Sequence, residues 1–64
     1  MTDNEKLRDF VRSYKGAEKS AIIAKMAALC MDDRRKIHNF MNSSMRIPAL
    51  YKAKIEEAAG VKIF

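Results

Sequence analysis

The chain has little of what stabilises small proteins by means other than packing. It holds one cysteine, Cys30, among 64 residues. That thiol cannot close an internal disulfide, and with the single histidine, His38, it cannot supply the four protein ligands of a structural zinc site. A reducing, cytoplasmic setting is therefore expected, with no metal and no cofactor. Tryptophan is absent, and there are only one proline and two glycines, a scarcity that excludes collagen-like and linker-like chains. Long apolar runs are lacking too. Lys6, Arg8, Asp9, Arg12 and Lys15 interrupt the first twenty residues, so neither a signal peptide nor a membrane span is expected. The length is that of one domain, 1–64, whose core is marginal unless its packing geometry, a partner or a ligand supports it.

What is present fits a folded helical chain: 48% of residues are apolar and 33% charged. The net charge of +5 is unevenly spread, since residues 1–32 hold six Lys/Arg against five Asp/Glu and residues 33–64 hold seven against three. A basic second half favours polyanions, nucleic acid before an anionic membrane surface.

Four helices can be read from the pattern. Thr2 and Glu5 stand at capping-box spacing, and Leu7, Phe10, Val11 and Tyr14 then form one apolar stripe, so the first helix is expected over about 3–14 with Gly16 as its left-handed terminator. A second is expected over about 17–29, rich in Ala, Met and Leu. Its adjacent Ile22 and Ile23 give two competing inward faces, one continuing through Met26 and Leu29 and the other through Met26 and Cys30. A third begins at Asp32 or Asp33, either a good N-cap, and ends near Asn42 with Ile37, Phe40 and Met41 inward. In the fourth, Pro48 suits the first turn and Gly60 the position after the end, with Tyr51, Ile55, Ala58 and Ala59 inward. The closing "VKIF" fits either a short strand or a tail that packs on a partner.

The inventory argues against catalysis. His38 is the only imidazole and lies on a basic stretch, no Ser or Cys sits in a nucleophile motif, and no Gly-rich phosphate loop is present. Asp32 and Asp33 are adjacent, so on a helix their side chains diverge, which suits capping better than paired acid–base work. What remains is two consecutive, tightly joined helices, the second turning Arg, Lys, His and Asn outward. That is the design of a helix-turn-helix, whose second helix enters the major groove.

The order "KLRDFVRSYKG", then a helical pair ending "KIHNFMNSSMRIP", then "ALYKAKIEEAAGV" resembles the small phage repressors of the Cro group and their YdaS-type, lambda-repressor-like relatives. The resemblance covers residues 6–61. It implies an all-α, four-helix helix-turn-helix domain and a homodimeric transcriptional repressor of phage or mobile-element type that binds double-stranded DNA. In that family a glycine usually occupies the turn. Aligning Ile37 and Phe40 with the family's apolar pair places Met31 there, and because a methionine at positive φ is strained, a longer first helix of the pair or a looser turn is expected.

The resemblance implies base-edge contacts from Asp33, Arg34, Arg35, His38 and Asn39, although capping is the favoured role for Asp33. It implies phosphate contacts from Lys19, Ser20, Lys36, Asn42, Ser43, Ser44 and Arg46. Val61, Ile63 and Phe64 are the expected dimer contact. Taken singly, each of these polar residues is an ordinary solvated side chain; it is their clustering on one short helix that points to DNA. The alternative is a small helical module that binds and modulates a host protein, motivated by the acidic Asp32–Asp33 pair and the unusual turn.

Overall fold

Thr2 and Glu5 form the expected capping box, the Thr2 hydroxyl accepting from the Glu5 amide at 3.2 Å and the Glu5 carboxylate accepting from the Thr2 amide at 3.1 Å. From this start a computed structural model of the chain, describing all 64 residues, winds into four helices and no strand. They are α1 (Asp3–Arg12), α2 (Ala17–Leu29), α3 (Arg34–Asn42) and α4 (Ala49–Ala59). None is long and apolar enough to cross a membrane.

The inward stripes meet in one core. Leu7 and Val11 of α1, Ile22, Ile23, Met26 and Ala27 of α2, Ile37, Phe40 and Met41 of α3, and Ile55 and Ala58 of α4 are buried, and no buried residue is polar or charged. The helix α2 lies at the centre and touches the other three, while α1 also packs on α3. This position resolves the two competing faces of α2: both adjacent isoleucines go inside, because neighbours flank the helix on several sides, and Leu29 and Cys30 are left half-buried. Ile47 also joins the core. It sits between helices, where no periodicity marks it.

Helix ends depart from expectation at three points. The first helix stops two residues early, at Arg12, with the Ser13 amide and hydroxyl both donating to the Phe10 carbonyl, at 3.1 and 2.6 Å. Gly16 consequently does not terminate α1. It precedes α2 with φ +58° and ψ −130°, a combination open in practice to glycine alone. Pro48 does not enter the first turn of α4 but caps it in extended conformation, with φ −59° and ψ 148°. Gly60 closes α4 as expected, left-handed, its amide donating to Glu56 at 2.9 Å.

The third departure matters most for the site. The α2–α3 turn is neither loosened nor displaced by a longer helix: Met31 itself takes the left-handed conformation, at φ +55°. The Asp32 amide donates to the Ala27 carbonyl at 3.0 Å and the Met31 amide to Ala28 at 3.1 Å, the paired bonds of a Schellman termination. Methionine is unbranched at Cβ, and here its side chain is 93% exposed, so the cost is confined to the backbone, roughly 1–2 kcal/mol. Those two bonds help to offset it. A further tie comes from Tyr51 on α4, whose hydroxyl donates to Asp32 Oδ2 at 2.6 Å. Met31→Gly is therefore expected to stabilise the domain by about 0.5–1 kcal/mol, the relieved strain less the extra entropy of glycine in the unfolded chain. Chemical denaturation would show it as a higher midpoint with an unchanged slope.

A long-range tie fixes α1 against the end of α3. The Asn4 amide nitrogen donates to the Phe40 and Met45 carbonyls, both at 2.7 Å, joining the first turn of the chain to the last turn of α3 and the loop beyond. Asn4→Ala is expected to cost about 1–3 kcal/mol, because it leaves the half-buried Phe40 carbonyl without a donor. A thermal melt measures this, and the isosteric Asn4→Asp should do no better, since a carboxylate would face two carbonyl oxygens.

The closing tail forms no strand. Ile63 and Phe64 are half-buried against the chain's own core, and their amides both donate to Glu56 Oε2, at 2.7 and 3.0 Å. These donors hold the Glu56 carboxyl below its ordinary range, the Phe64 amide contributing most. Val61 remains 53% exposed.

Candidate nucleic-acid interface

The N-terminus of α3 is set by Asp33, whose side chain accepts from the Arg35 amide at 3.0 Å. Asp33 thus takes the capping role, and its carboxylate also lies 3.4 Å from the Arg35 guanidinium. The adjacent Asp32 turns away, toward Tyr51 and the Asp33 amide, the latter donating to it at 2.7 Å. Both carboxyls are held below the usual carboxylate range, Asp33 chiefly by the Arg35 amide and Asp32 chiefly by the Tyr51 hydroxyl. The stability these groups contribute is present above the ordinary carboxylate pKa and is lost as pH falls through their depressed values.

With Ile37, Phe40 and Met41 inward, the remaining residues of α3 divide among three directions. Arg35 and Asn39, one turn apart, point to solvent, and the Arg35 side chain is 88% exposed. Arg34 and His38 lean toward α2, lining a small cleft with Lys19, Ser20 and the edge of Ile23. Lys36 lies on another flank, its ammonium 5.7 Å from the centre of the Phe40 ring. That ring in turn meets Tyr51 edge-on at 5.5 Å.

The fold therefore gathers Lys19 and Ser20 of α2 with Arg34 and His38 of α3, although fourteen or more positions separate them in the chain. Asn42, Ser43 and Ser44 are brought instead to the side where α1 begins, next to Thr2, Asn4, Glu5 and Arg8. The Ser43 hydroxyl is occupied there, donating to the Asn39 carbonyl at 2.6 Å and accepting from the Met45 amide at 3.2 Å. Arg46 is exposed in the following loop.

Two basic residues escaped the sequence reading. Arg8 and Arg12 of α1 line a second cleft with Lys19, His38 and Asn42. A signal for them exists: each follows a buried residue of α1, Leu7 or Val11, by one position and the two are one turn apart, so they had to flank the buried stripe. What could not be read is that α3 would pack beside that flank.

The acidic side chains are largely committed elsewhere. Asp3 pairs with Lys52, Glu57 with Lys54, Glu5 with the helix cap and Glu56 with the tail. Apart from Asp33 at its N-terminus, the α3 surface and the two clefts beside it carry no carboxylate. Comparison with known proteins finds no matching family model, no matching characterised sequence and no matching solved structure.

Proposed function

We propose that this domain is a sequence-specific double-stranded DNA-binding regulator, a repressor of the helix-turn-helix kind that its sequence resembles. The observation that carries the reading is the set of cations and amides gathered around α3. Arg35 and Asn39 extend outward where they would meet base edges, arginine matching guanine and asparagine matching adenine in the major groove. Arg34 and His38, beside them, would complete the base-edge set. Lys19 and Ser20 on one side and Lys36 on the other would meet the sugar–phosphate strands that border the groove. Asn42, Ser44 and Arg46 would extend those backbone contacts.

Asp33 favours this reading less than its neighbours do. Its carboxylate is used twice within α3, as cap and as partner of Arg35, and Arg35 would exchange it for a base on binding. A domain this small makes few contacts, so a homodimer on a two-fold symmetric site with half-sites about one helical turn apart is proposed. Of the dimer residues, Val61 is the one most available, because Ile63 and Phe64 already cover their own core. The second reading, a helical module docking on a host protein, draws on Met31 and Leu50, which are 93% and 69% exposed.

A binding titration on duplex DNA across a salt series separates the two. Six or more phosphate contacts should lower affinity by about three orders of magnitude or more between 50 and 200 mM salt. No complex at low salt, with an intact fold, would rule the DNA reading out.

A further inference from the structure

The cleft between α1, α2 and α3 has the make-up of an oxyanion site. Arg8 and Arg12 come from successive turns of α1, Lys19 from the first turns of α2, and His38 and Asn42 from successive turns of α3. Its floor is apolar, formed by Val11 and Met41, both buried. No carboxylate lines it. Every side chain at its rim is a cation, an imidazole or an amide, so each can donate a hydrogen bond.

One atom of a residue that lines this cleft stands out. Arg8 Nε is shut off from solvent and has no hydrogen-bond partner, and it is the only buried side-chain nitrogen or oxygen in the molecule of which this is true. A guanidinium donor without water or acceptor is costly, and the remedy is an acceptor that enters from outside. The nearest anion is no substitute: Glu5 lies 4.0 Å from a terminal nitrogen of Arg8, and its other oxygen is taken by the Thr2 amide and hydroxyl at 3.1 and 3.0 Å. The rest of the Arg8 side chain remains partly open, at 38% exposure, so an incoming group can meet its open part, and a turn of the side chain would bring Nε to the same group. The edge of a guanidinium presents two parallel N–H bonds, the geometry that matches two oxygens of a phosphoryl group.

We propose that this cleft seats one phosphoryl group, held by Arg8 and Arg12 with help from Lys19, His38 and Asn42. Building on the DNA reading above, the group is a backbone phosphodiester bordering the groove that α3 enters. Through α1 the phosphate would fix the angle at which α3 meets the bases, since His38 faces both this cleft and the one lined by Arg34. The seat adds affinity without sequence preference, because a phosphodiester is the same beside every base pair.

Two measurements on the full chain test it. The first follows the arginine Nε–H signals by NMR while inorganic phosphate is added against sodium chloride at matched ionic strength. The Arg8 signal should shift saturably with phosphate and not with chloride, and Arg12→Gln should weaken that response. The second measures duplex binding across a salt series for Arg8→Gln and Arg12→Gln. Each should bind every duplex several-fold more weakly and flatten the log–log salt slope by about one. Arg12 is exposed, so its variant decides the matter if Arg8→Gln fails to fold. Duplex binding with unchanged slope in the Arg12 variant, or a phosphate titration indistinguishable from chloride, overturns the seat. A saturable phosphate shift in a protein that binds no duplex overturns the DNA reading and keeps the seat, for a free phosphorylated ligand.

Discussion

Arg35→Ala and Asn39→Ala are each expected to weaken binding to a duplex selected from a random pool by about 1–3 kcal/mol, roughly five- to 150-fold, and to relax the preference at one base pair. The reason is positional. These two residues are exposed on the outward line of α3, with the Arg35 side chain open at 88%, and the one side-chain ion pair or hydrogen bond between them and the rest of the molecule is that of Arg35 with Asp33. Lys36→Ala should behave differently, lowering affinity for all duplexes alike and flattening the salt slope by about one. Its ammonium rests over Phe40 on the side of the helix, a place suited to a phosphate rather than a base edge. Repeating the random-pool selection with each variant checks this. If Arg35→Ala and Asn39→Ala lowered binding to random and selected duplexes equally, α3 would be holding the backbone and not reading bases.

Phe40→Ala is expected to remove about a third or more of the domain's stability, and all of it at the low end of the range for this length. The side chain is 1% exposed and is among the largest fully buried groups in the molecule. Truncating a buried phenylalanine costs about 3–5 kcal/mol, whereas a domain of this length is stabilised by only about 3–10 kcal/mol in total. The loss is aggravated locally, because the Phe40 ring also meets Tyr51 edge-on and the ammonium of Lys36. Far-UV circular dichroism at 25 °C should show lost helicity or a broad, early melt. Phe40→Leu, which keeps most of the volume, should retain a cooperative transition at a lower temperature. A Phe40→Ala protein that melted within a few degrees of the parent would mean that the core does not depend on α3 as its packing indicates.

Much of this molecule follows from local spacing. The capping box at Thr2 and Glu5, the cap at Asp33, the left-handed stop at Gly60 and the stripe of Ile37, Phe40 and Met41 all depend on residues within a few positions of one another. Hydrogen bonds and side-chain periods of that range are properties of the chain itself, so four helices and the outward set of Arg35 and Asn39 could be read directly. Propensity alone misassigns two residues. Glycine's frequency at helix ends points to Gly16 as a terminator, and methionine's avoidance of positive φ argues against Met31 in a left-handed turn. Yet Gly16 serves the start of α2, and Met31 is held left-handed by two backbone bonds beside a turn fastened by Tyr51.

Sequence by itself determined the four helices, the inward stripes of α1 and α3 and the basic, amide-bearing surface of α3; the inward face of α2 it left open. The tertiary structure alone decided what stands next to that surface. It set Lys19 and Ser20 beside Arg34 and His38, turned Arg8 and Arg12 into the wall of a cleft, left Arg8 Nε without a partner, and folded Ile63 and Phe64 back onto their own core. Those arrangements depend on which helix face packs against which, and that is settled by burying all the apolar stripes at once. No spacing within a single helix records it.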